Sequence, residues 1–272
     1  MMNQRCYLYL CFLITICCAF SCQRGSGTSV EIDKEEFKKE ELILIGEAMS
    51  NQIVELSETF PLLDPLQYKD AYIYVNRLLN SLKLTSIVKH RNDFDWKVTL
   101  IHDCGTRTAF ALPSGEIFVY TGLLKFLNAE HELMAVLANE MAYADQKLVT
   151  QALRAEYGGI IWGDLLSGRK VENFAEIVSA FPNITYDEAL VSKADQFAIE
   201  LVCPFQYDIS GLNDFVERAS NQQIKWIQSK KVTNTSARLA TITSLSSPCG
   251  RDGVTNYEQY QRKIKNFLPK CN

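Results

Sequence analysis

The chain has 272 residues and a formal net charge of −4, with both signs mixed along its length. That balance excludes the basic stripe of a nucleic-acid binder. An apolar content of 47% excludes wholesale disorder and provides for a sizeable core.

The first segment reads as a targeting element. "MMNQR" carries one cation, Arg5, and "CYLYLCFLITICCAF" (residues 6–20) is an uncharged apolar run. It is shorter than the roughly 20 apolar residues of a comfortable membrane span and has the length of a signal-peptide core. The following "AFSC" resembles a bacterial lipobox, with Ala19 where an aliphatic residue, most often Leu, is expected three before Cys22. Lipidation of Cys22 is the expectation, with residues 1–21 as the signal. Ordinary secretion after cleavage at Ser21 and a retained anchor stay open. Each places the folded part outside the cytoplasm, and the lipidated form in a bacterial envelope, facing the periplasm. Of nine Cys, four lie beyond position 22: Cys104, Cys203, Cys249 and Cys271. They lack C-x-x-C spacing, so zinc and thioredoxin-like readings have no support. Two disulfides in any of three connectivities are open, as are buried free thiols; Cys249 with Cys271 would tie down the C-terminal tail.

From Ser29 the chain reads as mostly helical. Leu42, Ile45, Met49, Ile53 and Leu56 step by three and four and predict a first helix, ended before Pro61 and Pro65. Tyr72, Val75, Leu79 and Leu82 predict a second. After Lys89 the period changes. "DWKVTLIHD" alternates, with Trp96, Val98 and Leu100 on one face; "RTAFALP" and "EIFVYTG" are two more short strands around Pro113-Ser114-Gly115. Helix resumes at "LLKFL". Leu133, Val136, Leu137, Met141, Ala144 and Leu148 predict one helix from Ala129 to about Arg154. Glu140 falls on the edge of that stripe and faces inward, where a carboxylate needs a partner: Tyr143, Lys193 or backbone. Four glycines interrupt residues 158–168. Further helices are predicted over 171–181, 186–202, 208–228, 237–245 and 256–268. The fold class is α+β, mostly helical, with a small sheet of about three strands.

"TAFALPSGEIFVYTGLLKFL" and "EHELMAVLANEMAYAD" together resemble the core of the M48 peptidases, zinc metalloendopeptidases of the gluzincin type. Ala109-Phe110-Ala111-Leu112-Pro113 and Tyr120-Thr121-Gly122-Leu123-Leu124 match the family's strand and turn. Glu132-Leu133, Val136-Leu137 and Glu140 keep register with its active-site helix. "SKADQFAIELV" resembles the family's Glu-x-x-Ala-Asp helix, with Ala194 and Asp195 in place, and Arg238 resembles an Arg near the family's end. The resemblance covers 58–245, leaving 22–57 as an anchored N-terminal segment with a helix and 246–272 as a tail.

The resemblance implies a zincin-like fold and zinc as cofactor. In the family a His-Glu-x-x-His pair and a downstream Glu bind zinc, and the intervening Glu activates a zinc-bound water. Here the ligand positions read Asn139, Tyr143 and Val191. Val cannot coordinate, and Asn and Tyr are poor zinc ligands beside imidazole. His90, His102 and His131 are the only histidines, and His131 lies about two helical turns before Asn139. No cofactor is therefore expected. Glu140 is a vestigial general base, and Asp195 its former support. The expectation is an inactive pseudoprotease anchored to a membrane, with protein or peptide partners and no nucleic acid. Phe110, Ala111 and Leu112 would edge a groove for strand addition by an extended peptide. An active metalloendopeptidase with unusual ligands and a structural lipoprotein are the alternatives.

Overall fold

The computed structural model describes residues 37–224, 234–249 and 252–271. The signal at 1–21, Cys22, the start of the first helix and the far end of the 208–228 helix lie outside the described residues.

Helix α1, Lys39–Glu55, buries Leu42, Ile45, Met49 and Ile53, as the spacing predicts. Leu56 falls just past its end as the C-cap. Glu40 and Glu41 sit in the first turn, where the helix dipole favours negative charge. Helix α2, Lys69–Lys83, buries Tyr74, Val75, Leu78, Leu79 and Leu82. Tyr72 departs from the predicted stripe. It is half-buried, and its hydroxyl donates to the Leu63 carbonyl at 2.7 Å and accepts from Leu100 N–H at 3.2 Å.

Three strands follow: β1, Lys97–Ile101; β2, Ala109–Ala111; and β3, Glu116–Tyr120. Their order is β1-β3-β2. β1 runs parallel to β3 with Val98 opposite Ile117, and β2 runs antiparallel to β3 with Phe110 opposite Phe118. The β2–β3 turn closes through Gly115 N–H to the Leu112 carbonyl at 3.0 Å. Gly115 has φ +94°, and a Cβ there would stand 2.8 Å from Phe94 Cβ, so both backbone and space require glycine.

Neither edge of the sheet is open. On β1, the Asn76 side chain accepts from Val98 N–H at 2.8 Å and donates to the Val98 carbonyl at 3.2 Å, as a neighbouring strand would. Leu63 N–H to Leu100 O and His102 N–H to Pro61 O continue the cover. β2 is buried along its whole length.

Short helix α3, Thr121–Phe126, leads into α4, Glu130–Asp145. Every residue of α4 is buried. It is the central helix rather than an amphipathic one with a polar face, and it packs against α8, β2 and several neighbours. The single helix predicted to about Arg154 is two helices. α4 ends at Asp145, Lys147 adopts a left-handed conformation with φ 57°, and α5, Leu148–Tyr157, starts anew. The Lys147 ammonium donates to the Phe37 carbonyl, a tertiary contact that fixes the break.

α6 is Ile160–Leu166 and α7 is Phe174–Ala180, continued by a 3₁₀ turn that carries Pro182. α8, Glu188–Val202, begins where Asp187 caps Leu190 N–H at 2.9 Å. α9 is Gly211–Asn221; α10, Thr235–Ser246, is capped by Asn234; α11 is Tyr257–Phe267. Two disulfides join Cys104 to Cys271 and Cys203 to Cys249. The Cys249–Cys271 pairing and the free thiols are thereby corrected. Residues 37–272 form one compact unit. Among the described residues no helix is long and apolar enough to cross a membrane.

Candidate functional site

α4 and α8 lie side by side and bring the expected site residues together. Asn139, Glu140 and Tyr143 come from α4, Val191 and Asp195 from α8, and all five are buried. Asn139 Nδ2 donates to Asp195 Oδ1 at 3.0 Å. Arg238, from α10, grips the same carboxylate with two bonds: Nε to Oδ2 at 2.8 Å and Nη2 to Oδ1 at 2.9 Å. This is a buried bidentate ion pair, with side-chain exposures of 5% for Arg238 and 3% for Asp195. Burial pulls the Arg238 pKa down, and the Asp195 charge and hydrogen bonds more than offset it.

The Tyr143 ring stacks at a tilt on Tyr186, 4.3 Å between centroids. Burial pushes the Tyr143 phenol far above its ordinary pKa, and the charges of Glu140 and Asp195 push it further. Tyr186 is raised by burial and by Glu140. Glu140 therefore faces two phenols that keep their protons. Lys193 is exposed.

The donor set does not fit zinc. Val191 has no donor atom, and the Asn139 amide oxygen and the Tyr143 phenol, whose pKa burial raises, are poor zinc ligands beside imidazole. Among the described residues no three His, Cys, Asp or Glu side chains converge as a metal site. The histidines are engaged elsewhere. His131 Nε2 lies 3.5 Å from Asp214, His102 Nδ1 lies 3.4 Å from Thr121 Oγ1, and His90 stacks on Phe94.

The expected groove is closed. Phe110, Ala111 and Leu112 are 3%, 0% and 0% exposed. The Phe110 ring stacks on Phe118 at 5.2 Å and meets the edge of Phe181 at 5.4 Å, while α4 covers the strand. Strand addition at these three residues is thus not available. A cavity of about 110 Å³ adjoins Val191, Asp195 and Arg238, well under the roughly 300 Å³ at which ligand pockets begin.

Tyr186 and the Asp195–Arg238 pairing were not foreseen as parts of the site. Arg238 carried a signal, being a cation within the apolar run "ARLATI". Tyr186 carried none beyond its place before a helix.

A family model described as peptidase family M48 matches residues 74–246, well over half of the chain. The chain belongs to peptidase family M48. It is 38% identical over 76 residues to the mitochondrial metalloendopeptidase OMA1 of Schizosaccharomyces pombe, covering 28% of this chain and 21% of that protein. It is 47% identical over 49 residues to the corresponding Danio rerio protein, covering 18% and 10%. With the Arabidopsis thaliana protein it shares 24% over 140 residues, covering 51% and 28%. The chain thus matches under a third of each relative's length. M48 membership accounts for the strand–turn–helix core.

Proposed function

We propose that this M48 chain is a pseudopeptidase that works by binding protein rather than cutting it, exported and anchored to a bacterial envelope membrane through lipid on Cys22. The observation that supports the loss of catalysis is the donor set: Val191 offers no ligand atom, and Asn139 and Tyr143 stand where the resemblance implies imidazoles. Glu140, without a metal to lower the pKa of a water, has no base chemistry to perform. Two disulfides support an oxidising compartment.

Metal analysis of the purified full chain, paired with casein turnover with and without chelator, tests the reading. The expected result is far less than one zinc per chain and no turnover. Stoichiometric zinc with chelator-sensitive turnover sinks it and favours the active-enzyme alternative. The closed β2 edge favours a second reading, a structural lipoprotein without a peptide groove. Photo-crosslinking from exposed Leu66 and Ile160 separates the two: a specific protein adduct supports binding, and none supports the structural reading. Palmitate labelling that persists in Cys22→Ala overturns the anchor.

A further inference from the structure

The two disulfides sit in different chemistry. Cys249 packs against the hydrophobic core. Cys104–Cys271 instead lies on a surface cleft of about 420 Å³, between Thr59 and His102, with charges of both signs from Glu58, Asp103 and Lys270. The Lys125 ammonium stands 2.8 Å from Cys271 Sγ and 3.7 Å from Cys104 Sγ, and also donates to the Pro269 carbonyl. Burial lowers the Lys125 pKa. Gly122 packs the Cys104 loop close: a Cβ there would meet the Cys104 carbonyl at 2.6 Å and that of Thr106 at 2.4 Å.

We propose that Cys104–Cys271 is a thiol–disulfide exchange site, opened by a dithiol reductant ahead of Cys203–Cys249. Exchange speeds up when the leaving sulfur is a stabilised thiolate and the disulfide is accessible. A thiolate of the reductant enters the cleft and attacks Cys104 Sγ. The S–S bond breaks, and its electron pair leaves on Cys271 Sγ, beside the Lys125 ammonium. The reductant's second thiol then attacks the mixed disulfide and frees Cys104. Two electrons pass from the dithiol to the protein, yielding two cysteines and an oxidised, cyclic reductant. The segment 268–271 is thereby untied from the loop before β2. The proposal stands apart from the pseudopeptidase reading, since neither cysteine touches Asn139, Asp195 or Arg238.

The test uses the oxidised full chain, treated with dithiothreitol, quenched at intervals with a maleimide and mapped by peptide mass spectrometry. Cys104 and Cys271 are expected to label about tenfold faster than Cys203 and Cys249. Lys125→Met should slow the first pair roughly three- to tenfold, with Lys125→Arg restoring most of the rate. Equal melting temperatures of the oxidised wild type and Lys125→Met exclude a folding artefact. Cys203–Cys249 opening first or in step, or an unchanged rate in Lys125→Met, overturns the proposal. If Lys125→Met does not fold, the wild-type ratio decides alone.

Discussion

Asp195 is the residue on which the candidate site turns. Both its oxygens are engaged by Arg238, and one also by Asn139, with no exposure worth the name. Removing one member of such a pair leaves the other charge buried and uncompensated, which costs about 3–5 kcal/mol. Arg238→Met and Asp195→Leu are each expected to lose that much in urea unfolding. The double substitution should lose clearly less than the sum, because no orphaned charge remains. Strict additivity would show that the pair does not hold α8 to α10. Val191→Glu tests the same position from the other side. It places a buried carboxylate next to the Asp195 charge and should destabilise by about 2–4 kcal/mol. Added zinc is expected to give no recovery, since Asn139 and Tyr143 offer an amide oxygen and a buried phenol rather than imidazoles. Zinc-dependent recovery of the melting temperature would contradict the donor-set argument.

At the scale of elements, the β1 edge is guarded by the Asn76 side chain and by the backbone of residues 61–63. Asn76 supplies both hydrogen bonds that a partner strand would give to Val98. Asn76→Leu keeps the volume and removes both, leaving a partly buried N–H and C=O unpaired. A loss of about 1–3 kcal/mol is expected, with faster hydrogen exchange at Val98; an unchanged Val98 rate would mean that water does the same work. This guard was not legible in the sequence, because nothing in an Asn on a helix announces a backbone 22 residues away. The strands themselves were legible from alternation, and α1 from its three-and-four spacing. The break between α4 and α5 was not. Apolar periodicity runs straight through Asp145 to Leu148, while the break is set by left-handed Lys147 reaching Phe37, 110 residues distant. The same holds in the site. Spacing within α4 marked Glu140 as an inward carboxylate, and the M48 resemblance, which is local to one helix, singled out Asn139 and Tyr143 beside it. Burial of Phe110 to Leu112 depends on Phe181 and α4 closing over them, and spacing within a strand carries no trace of that.

The whole molecule is drawn together by one carboxylate outside the site. Glu130 opens α4 and is buried. It accepts from Tyr74 of α2 at 2.5 Å, from Tyr207 after α8 at 2.6 Å, and from Asn256 before α11 at 2.8 Å, with Arg77 at 3.4 Å. Four stretches of chain therefore meet on one charge. Burial alone would raise the Glu130 pKa. The hydrogen bonds from Tyr207, Tyr74 and Asn256, with the Arg77 charge, outweigh it and leave the pKa lowered. A carboxylate whose folded pKa lies below its unfolded one binds fewer protons when folded. Its stabilisation is thus complete above the ordinary carboxylate range and is lost as pH falls through the depressed value. Glu130→Gln keeps the shape and removes the charge, weakening hydrogen bonds to a charged acceptor that contribute about 1.5–3 kcal/mol each. The variant should be less stable than wild type at pH 7 and should close most of that gap in acid below the carboxylate range. Urea unfolding of both chains at neutral and acid pH measures the gap. A difference that stays constant with pH would place the stabilising effect in side-chain packing and not in the Glu130 charge.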